Sequence, residues 1–319
     1  MRVGQNPAKF VKEVARPERI TVAVLTYIPF LSGFYASTLD VLKACLSSLR
    51  DTADLPFDLL VFDNGSCAEA RNYLLAEHEA GRIQFLVFSE KNIGKGGAWN
   101  YIFGCAPGEI LAYADSDVLF YPGWLSRSVQ LLEHFPDVGM VTSRPFRTKP
   151  ELYSHTVDWA AHTGEVTLER GSFIPWEVYR SFENSLGTTD EQARETYAAS
   201  EDVRLTYRGV SAMAGASHWH FTGYKRVLQQ FLPFEMDRPM GQVRQLDQRM
   251  NAAGLLRLMT TDPLSQNMSN NVPLELGGKA RRPGQAKPRG LAQRVLDMPL
   301  FKNRLLGLYD AIFRFYYDR

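Results

Sequence analysis

The sequence is short of several things, and each shortage removes a class of function. It has three cysteines in 319 residues, Cys45, Cys67 and Cys105. An odd number without metal-type spacing argues against a disulfide framework or a zinc module and points to a reducing compartment. No apolar run reaches the roughly 18 residues that a membrane span needs. The opening stretch, MRVGQNPAKFVKEVARPERI, lacks the apolar region of a signal peptide, so a cytoplasmic location is expected. Net charge is almost absent: 36 Lys/Arg stand against 35 Asp/Glu, leaving +1. That balance argues against a nucleic-acid coat and against an acidic disordered tail. What remains is 45% hydrophobic and 22% charged, enough to build a core without staples.

The charge that exists is unevenly placed. Residues 276–319 carry ten Lys/Arg and three acids, so this tail is +7 and the rest is −6. The tail opens with the linker-like GGKARRPGQAKPRG and turns apolar at helical spacing through Leu305, Leu308 and Ile312. Such a helix can lie on an anionic membrane surface as a peripheral contact, or dock on the body or on a second subunit as a homodimer seam.

The first 145 residues alternate between short apolar, β-branched runs and amphipathic stretches. Strands are expected at 20–26, 58–62, 83–88 and 109–114, and helices at 38–50, at 68–79 and after the glycine-rich turn to residue 103. One helix between successive strands implies right-handed crossovers and a largely parallel sheet. Ligands of such sheets bind beyond the carboxyl ends of the strands. Thr26-Tyr27, Asp63-Asn64, Asn92 and Asp115-Ser116-Asp117 all stand there.

Each of these positions has a chemical task and a plainer alternative. Asp115 and Asp117 can hold a hard divalent cation, which prefers oxygen and would neutralise a diphosphate; the alternative is a turn and cap cluster. Asp63 can accept from a nucleobase imide N–H, or can close an Asx turn with Asn64-Gly65. Asn92-Ile93-Gly94-Lys95-Gly96-Gly97 opens a helix whose N–H groups, with Lys95, can meet phosphates or a ribose; it is neither G-x-G-x-x-G nor a P-loop.

Taken together these motifs are more specific. Asp63-Asn64-Gly65-Ser66, Asn92-x-Gly94-x-Gly96-Gly97-Ala98-x-Asn100, Ala114-Asp115-Ser116-Asp117 and Tyr121-Pro122-Gly123-Trp124-Leu125, in that order, resemble glycosyltransferase family 2. The resemblance is strong from Ile20 to about Arg147 and weaker from Met213 to Asn271. It implies an α/β GT-A fold: a Rossmann-like, mostly parallel central sheet flanked by helices, followed here by a C-terminal helical tail. It implies a nucleotide-sugar donor (UDP-sugar favoured, dTDP- or GDP-sugar as well), a glycan or lipid-linked acceptor, no nucleic acid, and Mn or Mg as cofactor. By resemblance Thr26, Tyr27 and Asp63 hold the base, Asn92, Gly96 and Asn100 line the nucleoside–sugar site, Asp115 and Ser116 face the ribose or sugar, and Asp117 binds the metal. The expected organisation is an extension at 1–17, a donor half at 18–147, an acceptor half with an insertion at 148–275, and the tail at 276–319.

The second half departs from the family pattern. Arg249 to Gly254 keeps the spacing at the end of an acceptor-side helix, but the family's Glu-Asp positions fall on Gln242 and Val243, and its metal-binding His position falls on Asn267. Asp237, just before the presumed helix, and Asp247, on it, are the candidate bases. Glu235 lies beside Asp237, and Ser200-Glu201-Asp202 resembles a rival Glu-Asp helix. A single strand is expected over 216–224, which would point the imidazoles of His218 and His220 to one face, where either can replace the missing metal ligand. The 148–208 stretch holds Trp159, His162, Phe173, Trp176 and Tyr179, either an acceptor-stacking platform or a packed insertion. The reaction implied is an inverting glycosyl transfer. A non-catalytic nucleotide- or glycan-binding relative, and a sugar-phosphate nucleotidyltransferase, are the alternatives.

Overall fold

The structure is a computed structural model that describes residues 4–237 and 243–273. All of these but Pro273 fall in one compact unit, Met1–Val272. The amphipathic tail expected at 276–319 lies outside the described residues.

The donor half begins with β1 (Ile20–Thr26), seven residues all buried, in keeping with its apolar run rich in β-branched residues. Then come α1 (Thr38–Thr52), β2 (Asp58–Asn64), α2 (Ala68–Glu79), β3 (Phe85–Ser89), α3 (Gly94–Cys105) and β4 (Ile110–Asp115). Helix α1 buries Val41, Leu42, Cys45, Leu46 and Leu49, the face its spacing predicts. After β4 the chain makes a short β5 (Val118–Phe120), α4 (Trp124–His134) and β6 (Val138–Thr142).

The remaining elements are α5 (Ser154–His162), β7 (Val166–Gly171), α6 (Trp176–Ser185), α7 (Asp190–Ala199), β8 (Asp202–Tyr207), β9 (Val210–Ala214), β10 (His220–Tyr224), α8 (Lys225–Leu228), α9 (Val243–Ala252), β11 (Leu256–Met259) and β12 (Ser265–Asn267). Ten strands form one sheet in the order β3-β2-β1-β4-β10-β6-β11-β9-β8-β7. Strands β1 to β4 are mutually parallel, β10 runs against β4 and β6, and β11 runs with β6. With β8 the strands in one direction are β1–β4, β6, β8 and β11, leaving β7, β9 and β10 reversed. The expected α/β architecture, with most strands pointing one way, is therefore present. One apolar cluster beneath one face includes α1, α2 and α4; a second on the other face includes Trp99, Ile102 and Phe103 of α3 and Leu246 and Met250 of α9.

Two expectations are corrected. The stretch 200–208 is no Glu-Asp helix. Val203, Leu205 and Tyr207 alternate as buried residues on β8, and Arg208-Gly209 at φ 45° and 82° closes a hairpin onto β9. Residues 216–224 are not one strand either. Gly215, at φ 124°, turns the chain out of β9, and Ser217 bridges to His220, so His218 and Trp219 are the corners of a tight turn. The insertion packs on itself: Tyr179 is buried, Trp176 meets Tyr197 edge-on at 5.4 Å, and Arg147 covers both tyrosine rings. Among the described residues no helix is long and apolar enough to cross a membrane.

A two-stranded sheet pairs β12 with β5 antiparallel, placing Asn267 opposite Val118. That pairing brings residue 267 back to the loop after β4, where the candidate site forms.

Candidate active site

At the far end of the parallel strands, Thr26 on β1 is in register with Asp63 on β2. Thr26 is buried, and its Oγ1 has no hydrogen-bond partner among the described residues. Tyr27 is half-buried, with its ring edge-on to Tyr35 at 6.4 Å. Asp63 is fully buried. Its carboxylate accepts from Ser66 N–H at 3.2 and 3.3 Å and from Arg71 Nε at 3.0 Å. The turn alternative is thus formed, and Asp63 reaches any base only as part of an ion-paired turn.

Asn64 fixes the glycine-rich turn. Its Nδ2 donates to Asn92 Oδ1 at 3.0 Å, and its Oδ1 accepts from Ile93 N–H at 2.9 Å. Asn92 Oδ1 also accepts from Gly94 N–H at 2.9 Å. Gly65, at φ 87°, allows this approach, because a Cβ there would stand 3.0 Å from Asn92 N. Gly96 is buried inside the first turn of α3. Asn100 faces elsewhere: its amide donates to Phe234 O at 2.9 Å and accepts from Phe234 N–H at 2.7 Å. It clamps the loop that carries Glu235 and Asp237 onto α3 and offers little to a nucleoside.

The carboxylate pair is built asymmetrically. Asp115 Oδ2 accepts from Lys95 Nζ at 2.7 Å, and Oδ1 accepts from the Tyr113 hydroxyl at 2.6 Å. Lys95 is itself buried, its ammonium 5.4 Å and 5.5 Å from the Trp99 and Tyr113 ring centres. Ser116 and Asp117 form the turn into β5. Asp117 O accepts from Met268 N–H at 2.7 Å, and Oδ2 accepts from Asn267 Nδ2 at 3.3 Å. Oδ1 is buried with no partner among the described residues. Desolvation, reinforced by the Asp115 charge, pushes the Asp117 carboxyl up to about 7. An orphaned carboxylate oxygen beside a second carboxylate and an amide fits a hard divalent cation with oxygen ligands. Asn267, which sequence alone left as a departure from the family pattern, thus stands beside the metal-binding candidate.

The two histidines separate, which corrects the expectation of a shared face. His220 is buried; Nδ1 donates to Tyr113 O at 2.9 Å and Nε2 accepts from the Ser143 hydroxyl at 2.7 Å. With both nitrogens engaged it has no lone pair for a metal and belongs to the core. Burial pushes its imidazole down from 6.5 to about 4. The unfolded chain then takes up this proton first, so the linked stability is present above about pH 6.5 and is lost as pH falls toward 4. The amount is about 3 kcal/mol. Urea unfolding at pH 7 and 4.5 isolates this loss as the difference between the wild type and His220→Gln, because the raised Asp117 carboxyl gains stability over the same window in both.

His218, at the turn corner, gives Nδ1 to Asp247 Oδ2 at 2.7 Å. Asp247 Oδ1 accepts from Arg257 at 2.6 Å, and Arg257 also donates to Ala216 O at 2.6 Å and to Leu152 O. Asp247 is 3% exposed and Arg257 0%. Asp247 is therefore an internal residue between two partners, which corrects its expected role as a free base. Arg257 went unnoticed in the sequence, although a charge inside the apolar run Leu256–Met259 is an available signal. Tyr113 went unnoticed because a strand tyrosine reads as packing.

Lys95, Asp115 and Asn267 at the strand ends line one cavity of about 750 Å³, with His218 and Asp247 beside them and Tyr179 and Phe182 of the insertion also in its lining. Among the described residues no group of three His, Cys, Asp or Glu is gathered as a metal site.

Comparison with known proteins returns glycosyltransferases. The glycosyl transferase family 2 model matches residues 34–191. An uncharacterised glycosyltransferase of Nostoc sp. (strain PCC 7120) is 26% identical over 100 residues, 31% of this chain and 31% of that protein. Among solved structures, the mannosyltransferase PcManGT from Pyrobaculum calidifontis, in complex with GDP-Man and Mn2+, is 17% identical with a TM-score of 0.46, covering 78% of this chain and 55% of that one. S. aureus TarS 1–349 in complex with UDP-GlcNAc is 14% identical with a TM-score of 0.44, covering 78% and 57%. The chain thus spans under a third of the curated relative's length and somewhat over half of these two structures. Through the family match over residues 34–191, with the carboxylate pair and glycine turn inside it standing at the strand ends, this part of the chain is a glycosyltransferase family 2 domain.

Proposed function

We propose that this chain moves a sugar from a nucleoside-diphosphate sugar, UDP-sugars first, to a hydroxyl of a glycan or lipid-linked acceptor, with inversion and with Mn or Mg bound. A cytoplasmic location accompanies this reading. The observation that carries it is Asp117 Oδ1, buried without a partner among the described residues, next to Asn267, which lines the cavity as Asp115 does.

In this reading Asp117 and Asn267 hold the cation, with Asp115 alongside. A bound cation supplies charge neutralisation for the departing diphosphate. Lys95 holds Asp115 in place and adds a fixed positive charge at the same end of the sheet. Thr26, Tyr27 and the Asp63 turn form the floor for the base, and the Asn64–Asn92 pair shapes the edge against the ribose. Pre-set dipoles and charges of this kind stabilise developing charge without reorganising. The acceptor enters from the insertion side. Asp237, the other carboxylate considered as base, sits exposed on the loop held by Asn100 and is not among the described residues lining the cavity.

A thermal-shift panel of UDP, dTDP and GDP, each with and without Mn²⁺, tests the donor site. Ligand bound only by the folded state raises apparent stability as ln(1 + [L]/Kd). A cation-dependent shift with one nucleoside diphosphate is expected, followed by release of that diphosphate from its sugar donor. No shift with any of them would remove the donor-site reading. A shift without turnover of any donor would favour the non-catalytic relative, in line with the missing Glu-Asp pair.

A further inference from the structure

Glycosyl transfer requires a base on the acceptor side of the sugar. The carboxylates that line the cavity are poorly suited to it. Asp115 is taken by Lys95 and Tyr113. Asp202 is taken by Arg147 and by the N–H groups of Phe173 and Ile174. Glu183 accepts from Thr188 on the insertion, and Glu201 adjoins β8, five places along the sheet from β4.

His218 is placed differently. Its turn is tied to the backbone of Asp115, whose N–H donates to Trp219 O at 2.9 Å. The side chain lines the same cavity as Lys95, Asp115 and Asn267, and it is partly exposed, at 28%. Nδ1 is held by Asp247, and Arg257 supplies the countercharge behind. An ionised carboxylate only accepts hydrogen bonds, so Nδ1 carries the proton and Nε2 presents its lone pair. Among the described residues Nε2 makes no hydrogen bond. The charged groups around the ring are Asp247 and Arg257 behind it, Asp115 and Lys95 across the Trp219 turn, and Arg244 on the first turn of α9.

We propose that His218 is the general base of the transfer and that Asp247, braced by Arg257, positions it. This rests on the donor-site reading above. Nε2 takes the proton of the acceptor hydroxyl as its oxygen forms the bond to the anomeric carbon. The bond from that carbon to the diphosphate oxygen breaks, its electron pair leaves with the nucleoside diphosphate, and the imidazolium, paired with Asp247, later gives its proton to solvent. A histidine whose Nδ1–H is held by a carboxylate presents Nε2 as the proton acceptor, and such a base contributes roughly 10²–10⁴-fold to the rate.

The test combines kinetics with imidazole NMR. Nucleoside diphosphate release from UDP-glucose, UDP-GlcNAc and GDP-mannose, with Mn²⁺, is followed from pH 5 to 9 for the wild type, His218→Gln and Asp247→Asn. His218→Gln should lose about 10²–10³-fold in kcat and should lose the acid-side fall of kcat/KM that remains at saturating Mn²⁺, where Asp117 is kept ionised, with Kd for UDP unchanged. Asp247→Asn should lower kcat with Kd for UDP unchanged and should lose the fixed Nδ1–H tautomer of His218. In the wild type the His218 ring should show the Nδ1–H tautomer. His218→Gln turning over within threefold of the wild type, with the same acid limb, would overturn the assignment, as would an Nε2–H tautomer. If the wild type binds none of the diphosphates, the donor-site reading fails by itself, and the tautomer still decides the histidine.

Discussion

Asp117→Asn is expected to abolish cation-dependent nucleotide binding and to lower turnover by about 10³-fold, equivalent to roughly 4 kcal/mol of transition-state stabilisation. The reason is local. Oδ1 is buried without a partner among the described residues, and the carboxyl is pushed up to about 7 because it lies in a desolvated place next to Asp115. Only a positive charge makes that position favourable for an ionised carboxylate. Asparagine keeps the shape and the contact with Asn267 but removes the charge. The variant should therefore fold with at least wild-type stability while failing to show any Mn²⁺-dependent shift with nucleoside diphosphates. Titration calorimetry with Mn²⁺ and the favoured diphosphate checks it. Retained cation-dependent binding would move the metal away from Asp117.

The second large effect concerns stability. Arg257→Met should cost about 3–5 kcal/mol, the usual penalty when one partner of a buried ion pair is removed. Arg257 is fully buried, and its guanidinium reaches Asp247 and the carbonyls of Ala216 and Leu152. Its loss strands the Asp247 carboxylate in the interior and leaves two carbonyls without a donor. Urea unfolding of Arg257→Met, Asp247→Leu and the double variant closes a cycle. The double variant should recover a substantial part of the single loss, because an apolar pair of similar volume leaves no buried charge. Additive losses would mean that the pair contributes nothing specific.

The donor half was largely legible. Short apolar runs rich in β-branched residues, such as Ile20–Thr26, read as buried strands, and the amphipathic segments between them imply parallel crossovers. The motif residues therefore had to stand at one end of the sheet. That logic uses neighbours in sequence, and its errors are of one or two residues at element ends. The acceptor half was not legible in the same way. His218-Trp219-His220 reads as an alternating strand until Gly215 turns the backbone; the two imidazoles then part, one into the core and one onto the cavity. Ser200–Arg208 imitates a family helix in its residue types, whereas its period of two makes it a strand.

By itself the sequence determined the α/β class, the family resemblance and the strand ends where Asp63, Asn92, Asp115 and Asp117 stand, because local periodicity and short-range motifs encode all of these. Tertiary structure decided which of those groups are already engaged. Lys95 reaches Asp115 across 20 positions, Asn267 reaches Asp117 across 150, and His218 meets Asp247 across 29. Such pairings follow from sheet order and strand register, which depend on how distant segments pack and which no window of sequence contains.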